Sequence, residues 1–405
     1  MNDYPVIIFA ALMILFYGLF SKLSEKSVIT APMVFVAVGY IVSLFVGSDW
    51  REGINALWVE PIAQITLILV LFLDASTLNL KALLKDRQLP MRLLFVGLPV
   101  TMVVGVLFAW LLFPGIDIWW LIILAIILSP TDAALGIAVV TSKLVPLRIR
   151  QTINVESGLN DGFALPPLLI AIAVLSGEAG EGAGFAYWSM FTIKQFIFGP
   201  LIGGLVGWIG GYLVEKASKN DWMNQTFQRL AALSIAILSY SLAEMAGGNG
   251  FIAAFFAGML LGTSTEHIRE RIHEFGEAES QALVTFVFLL MGMIMIPISI
   301  PFWNVNSFIY AILSLTVIRM APVALSLLGT GLNRGTIAFI GWFGPRGIAS
   351  VLYLLMVVIE FGLKGMEQIA ATITLTVLLS VFLHGITAFP FSKLFSQETN
   401  LTSSK

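Results

Sequence analysis

Runs of apolar residues recur along almost the whole chain, each near the ~20 residues that carry a helix across a bilayer at 1.5 Å rise per residue. They fall at 5–21, 29–47, 58–77, 92–113, 118–140, 152–175, 187–214, 228–246, 250–264, 280–298, 305–328, 335–359 and 369–391. Lipid offers the backbone no hydrogen bonds, so such runs must fold as helices that satisfy themselves. The predicted fold class is an all-α polytopic membrane protein with about 13 transmembrane helices. Of the 405 residues 58% are hydrophobic and only 11% charged, against about 25% charged in soluble domains. A water-soluble surface cannot be made from that inventory. The formal net charge of −2 gives no sign of nucleic-acid binding. Without cysteine there are no disulfides or thiolate ligands, and three histidines leave little room for a His-built metal site. No cofactor is expected, and no enzyme chemistry.

Charge distribution sets the orientation. With the N-terminus outside, the cytoplasmic segments hold 17 of the 22 basic residues, including Lys22, Lys81, Arg92, Arg148, Arg150, Lys216, Arg229, Arg269, Arg334 and Lys393. Only Arg51, Lys194 and Lys364 fall on the external side, while Arg319 and Arg346 lie within spans. Positive charge is retained on the cytoplasmic side, so the predicted topology is N-terminus outside and C-terminus in the cytoplasm. The first residues carry Asp3 and no Lys or Arg before the first run, which predicts a retained span rather than a cleaved signal. Trp50, Trp58, Trp119, Trp120, Trp188 and Trp303 gather near the predicted external interface, as an aromatic belt would.

Two spans are interrupted. SPTDAA breaks the run at 118–140 and GWFGPRGIAS breaks the run at 335–359. Proline removes a backbone donor and clashes with the preceding turn, which predicts unwinding at both places. If 187–217 is a connector helix, 1–176 and 228–395 form two inverted six-helix repeats, with 396–405 a short cytoplasmic tail. The broken helices then hold equivalent positions, where secondary transporters build their binding sites.

Three acids lie at mid-membrane in these runs: Asp132, Glu156 and Asp161. A carboxylate there is costly and marks an ion pathway, a proton relay or a buried pair. Thr131, Asp132, Ser157 and Asp161 together offer the oxygen ligands a hard monovalent cation prefers. Ser157 and Asp161, four residues apart, share one helix face, with Asn160 beside it. Glu156 is turned by about 100° from Ser157 and needs a cationic partner, for which Arg319 and Arg346 are the candidates. Two arginines against three acids leave one carboxylate to hold either a proton or a cation. Burial disfavours the charged carboxylate while a bound cation favours it, so competition at one such group suffices for cation/proton exchange. Asp161 is the expected exchanging group, though a helix-pairing acid is also open.

These segments resemble a known family. VESGLNDGFALP (155–166) is similar to the ES-x-x-ND signature of the NhaP/NHE-type sodium/proton antiporters of the monovalent cation:proton antiporter superfamily, and SPTDAA to their broken-helix segment. YSLAEMAGGNGFIAAFFAGMLLG (240–262), VIRMAPV and WFGPRGIASVLYLL (342–355) follow the family pattern in order. The resemblance implies a thirteen-helix fold of six-helix inverted repeats, a core domain moving against a dimerisation domain, and a homodimer. It implies Asp161 as the ion- and proton-binding carboxylate, with Thr131, Asp132 and Ser157 as co-ligands of Na+. Asn160 stands where electrogenic relatives have a second aspartate, which implies one-for-one electroneutral exchange. Glu156 is implied as a structural acid paired with Arg319, and Arg346 as support for the helix crossing. Ala133 departs from the Pro of the family's TDP form, and Pro130 precedes Thr131 instead. The short tail SKLFSQETNLTSSK implies a prokaryotic inner-membrane protein. Membrane lipid, a monovalent cation and the proton are the expected partners.

Other polar residues read more plainly. Asp74 is expected to cap or to line a vestibule, Glu244 to pack helices or guard an entrance, and His384 to donate between helices. The 263–281 linker reads as solvated and amphipathic, with His267 and His273 as candidate pH sensors, and GEAGEGAG (177–184) as a flexible external loop. An intramembrane aspartyl protease would also use two membrane aspartates, but no GxGD element is present. A channel would need a filter-like polar path, which the sequence does not display. Exchange of K+ rather than Na+ stays open, because selectivity rests on cavity size and ligand geometry.

Overall fold

The computed structural model describes residues 8, 12–13, 15–21, 28–45, 56–77, 88–132, 135, 137–140, 142, 144–177, 190, 193–264 and 281–403. Much of the first predicted span, Ala133, the GEAGEGAG loop beyond Gly177, and the linker with His267 and His273 lie outside them. Among the described residues all regular structure is helical. Six helices are long and apolar enough to cross a membrane: Gln88–Leu112, Leu147–Leu175, Gln225–Met245, Gln281–Phe302, Val305–Ser326 and Glu367–Gln397. Shorter apolar helices include Ala31–Phe45, Ile118–Ile127, Gly250–Leu261 and Ile348–Phe361.

Both predicted interruptions are present. The first broken span gives Ile118–Ile127 and then the short Ile137–Val140, and the second gives Arg334–Trp342 and then Ile348–Phe361. A third break is added by the structure. The predicted span at 305–328 is present as Val305–Ser326, and within it the backbone leaves helical geometry at Thr316 (φ −116°, ψ −94°) between Val305–Leu315 and Val317–Ser326. The Thr316 hydroxyl competes with the regular ladder there, donating to the Ile312 carbonyl at 2.6 Å.

Proline also explains three widened turns. The π-helical segments Leu93–Gly97, Lys194–Phe198 and Met291–Met295 each end just before an X-Pro step, at Pro99, Pro200 and Pro297. A proline ring presses on the carbonyl four residues back. Lengthening the ladder by one residue relieves that pressure, and the amides of Leu98 and Ile296 accordingly reach back to Leu93 and Met291.

The chain forms two compact units. The second comprises Leu57–Gln88 and Gly158–Leu283. Its core gathers Ile68, Phe72, Val214, Ile235, Ala257 and Leu261. Here the helices meet backbone to backbone: a Cβ on Gly203 or Gly207 would overlap the main chain of Ala253 or Ala257, and one on Gly258 that of Phe72. The opposite side of the Gly199–Lys219 helix exposes Leu201, Leu205, Trp208 and Tyr212. Small residues inside and large apolar residues outside suit association in lipid, where close approach rather than apolar burial drives helix pairing. The GGNG turn is built by Gly247 (φ +73°), after which Glu244 accepts from the Gly250 amide at 2.7 Å and caps the next helix. Gln64 donates to the Tyr240 hydroxyl across the same unit.

The first unit comprises Met1–Ala56, Leu89–Ser157 and Val284–Lys405. Gly39 and Gly292 bring the Ala31–Phe45 helix against the Met291–Met295 turn, since a side chain at either would strike the other's backbone. Ser307, Gln368 and Thr372 form a polar clasp, with Gln368 donating to Ser307 at 2.7 Å and Thr372 donating at 3.1 Å. The last helix, Glu367–Ser403, runs past the predicted span end at 391. At 37 residues it extends about 55 Å, beyond a ~30 Å hydrocarbon core. Phe395 stacks on Phe339 at 4.3 Å and fastens the extension to the unit's own core.

Gly207→Val should force the Gly199–Lys219 and Gly250–Ser264 helices apart. The expected loss is about 1–3 kcal/mol, read as a lowered midpoint in thermal unfolding of the detergent-purified protein, whereas Gly18→Ala, with open space around it and no positive φ, serves as a control for the assay.

Candidate functional site

A helix that stops inside a membrane protein leaves its terminal N–H and C=O groups without helical partners. Two such ends meet where the two broken spans come together, after Ile127 and before Ile348, and side chains of the first unit satisfy them reciprocally. At the second break, Asp132 Oδ2 accepts from the Ile348 amide at 2.8 Å and caps the Ile348–Phe361 half-helix. Its own amide donates to the Pro345 carbonyl at 2.8 Å, and Oδ1 accepts from Leu135 at 3.4 Å. Arg346 answers from the opposite side. Its guanidinium donates to the carbonyls of Ser129 and Pro130, the latter at 2.9 Å, just past the end of Ile118–Ile127. Ser350 donates to Ile127 O at 2.7 Å. An anion at a helix N-terminus and a cation at a C-terminus each match the helix dipole.

The sequence departs from helix here for identifiable reasons. Pro130 and Pro345 cannot continue a ladder, and the glycines flanking the Pro-Arg pair remove side chains that would collide. A Cβ on Gly347 would overlap the Asp132 carboxylate, and one on Gly344 would sit 2.5 Å from Arg319 Nε. Neither glycine was singled out for this purpose from sequence, although G-P-R-G in an apolar helix is a visible signal. The break in the first span lies at 128–132, around Pro130; Ala133 is outside the described residues.

Glu156 and Arg319 are both buried and form an ion pair, with Nη2 2.8 Å from Oε2 and Nη1 on Oε1. The two-point geometry matches a guanidinium fork to a carboxylate. Of the two candidate partners for Glu156, the pair is therefore with Arg319, while Arg346 serves the broken-helix ends. The break at Thr316 falls one turn before Arg319.

Thr131, Ser157 and Asp132 belong to the same unit and are buried. The hydroxyls of Thr131 and Ser157 are 2.9 Å apart, so the unwound segment is tied to the Leu147–Leu175 helix. Asn160 and Asp161 come on the next turn of that continuous helix, within the second unit, and both are buried. Of the three mid-membrane acids, Asp132 and Glu156 fall in the first unit, as do the in-span arginines Arg319 and Arg346. Asp161 is the third acid of the sequence count. The assembled groups are carboxylate, hydroxyl and carbonyl oxygens with capped helix ends, a set that can ligate a small cation but holds no nucleophile-base pair. No cluster of three or more His, Cys, Asp or Glu residues occurs among the described residues.

Breaking the buried pair on one side leaves an uncompensated charge. Glu156→Gln should therefore cost ~3–5 kcal/mol, measured as a drop in the unfolding midpoint, and pairing it with Arg319→Met should recover part of that loss.

The chain was compared with known proteins. A family model described as sodium/hydrogen exchanger, transmembrane, matches residues 7–394. The K(+)/H(+) antiporter NhaP2 of Shewanella baltica is 25% identical over 378 residues, which cover 91% of this chain and 62% of that protein. The Na(+)/H(+) antiporter NhaG of Bacillus atrophaeus is 26% identical over 377 residues, covering 89% of this chain and 69% of that protein. The chain thus spans under two thirds of the length of its NhaP2 relatives. Among solved structures, the sodium proton antiporter MjNhaP1 of Methanocaldococcus jannaschii superposes with a TM-score of 0.81 over 98% of this chain and 99% of its own, at 19% identity. That likeness shows the same fold, in a chain of closely matching extent. The match from residue 7 to residue 394 shows that this chain belongs to the sodium/hydrogen exchanger family.

Proposed function

We propose that the protein is a secondary antiporter that exchanges a monovalent cation, Na+ or Li+, for H+ by competition at Asp161. The observation that carries this reading is the Thr131–Ser157 hydroxyl pair at 2.9 Å, with Asp161 buried one turn beyond Ser157 on an unbroken helix. Unwound backbone at a helix break, hydroxyls and a buried carboxylate are the groups with which transporters ligate small cations. Thr131, Ser157 and Asp161 would supply oxygen ligands, with Asn160 beside them. Asp132 would act chiefly through its cap on Ile348–Phe361, with its remaining lone pairs able to join the cation's shell.

The cycle follows from electrostatics. Protonated Asp161 carries no charge and holds no cation. Loss of the proton to one side leaves a buried carboxylate, which draws in a cation from that side and is again neutralised. Either neutral form can cross to the other access state, whereas the bare carboxylate is held back by its desolvation cost. One proton replaces one monovalent cation, so the exchange is electroneutral. Glu156 is engaged by Arg319, and Asp132 and Arg346 by backbone groups at the broken-helix ends.

The reading extends to a homodimer in a prokaryotic inner membrane, with the N-terminus outside and the C-terminus in the cytoplasm, consistent with the basic residues of the predicted cytoplasmic segments. The transport family argues against a catalytic enzyme, and no cofactor is invoked. K+ is the alternative cargo, favoured by the name of the NhaP2 relatives.

Purified protein in liposomes carrying a pH gradient tests the proposal. Na+ or Li+ should dissipate the gradient equally with the membrane potential free or clamped, and Asp161→Asn should abolish the response in folded protein. Dissipation by K+ alone would change the cargo, and dependence on potential would overturn the one-for-one stoichiometry. Ser157→Ala removes one oxygen ligand worth about 1–1.5 kcal/mol and should raise the half-saturating cation concentration roughly tenfold.

A further inference from the structure

Behind the 343–347 turn lies a hydrogen-bond relay that the exchange reading does not use. Trp342 ends its half-helix, and His384 Nε2 lies 2.9 Å from its carbonyl. A carbonyl only accepts, so Nε2 carries the hydrogen. The Nδ1 of the neutral ring is then an acceptor, and the Ser380 hydroxyl is 3.2 Å away to donate. Ser380 Oγ in turn accepts the Arg346 amide at 2.7 Å. Each hydrogen is assigned once and the chain runs in one direction, from Arg346 N–H through Ser380 and His384 to Trp342 O. The Ser380 carbonyl also lies 3.0 Å from Nδ1; for the neutral ring only the Ser380 hydroxyl of the two can donate to that nitrogen.

Ser380 and His384 are fully buried and one turn apart on Glu367–Ser403. The Trp342 indole packs beside the imidazole at 5.1 Å, and its Nε1 donates to Thr387 at 3.0 Å. This single helix therefore grips both the entry of the turn, at Trp342, and its exit, at Arg346. The Arg346 guanidinium holds the Ser129 and Pro130 carbonyls, immediately before Thr131 and Asp132.

We infer that His384 and Ser380 are positioning residues for cation exchange, holding the Arg346 turn so that Thr131 and Ser157 keep their register. The inference rests on the exchange reading given above. Neither residue touches the cation. Their effect passes through Arg346 to the broken-helix carbonyls, and so bears on ligand geometry rather than on the titrating carboxylate.

Two measurements on the full-length purified protein test it. In liposomes, His384→Ala and Ser380→Ala should each raise the half-saturating Na+ concentration roughly tenfold with maximal rate within about twofold, and the double variant should be no worse than either, because both break one relay. His384→Gln should restore near wild-type half-saturation, since its amide can donate to Trp342 and accept from Ser380. A role in general packing would lower the yield of folded protein and leave half-saturation unchanged. Hydrogen exchange of the backbone amides across 343–350 supplies the second readout, and both Ala variants should exchange faster there. That measurement needs no transport, so a wild-type protein that moved no cation would defeat the exchange reading, while the relay would still be judged by its amides. Unchanged exchange across 343–350, unchanged half-saturation in both Ala variants, or additive effects in the double variant would overturn the inference.

Discussion

Helix ends buried in a membrane protein must find partners, and the structure is organised around that demand. The carbonyls after Ile127 and the amide of Ile348 belong to buried residues, and an orphaned polar group in such surroundings costs several kcal/mol. Asp132 and Arg346 answer it with opposite charges at opposite helix ends. Because each charge is engaged with the other span's backbone, the two breaks cannot shift independently. The glycines at 344 and 347 follow from this arrangement, since side chains there would displace Arg319 or the Asp132 cap.

The Glu156–Arg319 pair extends the same logic. Its carboxylate is one residue before Ser157, so a salt bridge fixes the helix face that carries the hydroxyl. In the proposed exchange both acids serve the frame, Asp132 through the Ile348 amide and Glu156 through the Arg319 guanidinium fork. The relay through Ser380 and His384 adds an outer layer that orients the groups holding the break, as outer-shell partners do around bound ions.

Packing in the second unit uses a different device. The Gly199–Lys219 helix presents Gly203 and Gly207 to Ala253 and Ala257 and turns its large apolar residues outward. Backbone-to-backbone contact leaves little freedom for one helix to slide on another without collision.

Much of this was legible in the sequence because membrane constraints are written in composition and period. Apolar runs fixed the helical class, Pro130 and Pro345 marked the two interruptions, and the chemistry of Thr131, Asp132, Ser157 and Asp161 marked the candidate ligands. The break at Thr316 was not legible, because threonine is common in helices and its back-bond to Ile312 leaves no pattern. The length of the last helix was also missed, since SKLFSQET reads as polar tail until Phe395 is seen stacked on Phe339. His384 was readable as an interhelical donor but not as the partner of Ser380 and Trp342. The sequence by itself determined the helical, apolar class of the chain and which residue types stand at the breaks, because hydrophobicity and backbone chemistry are local. Only the tertiary structure decided that Arg319 takes Glu156 while Arg346 takes the carbonyls, because that choice depends on distances between residues far apart in the chain.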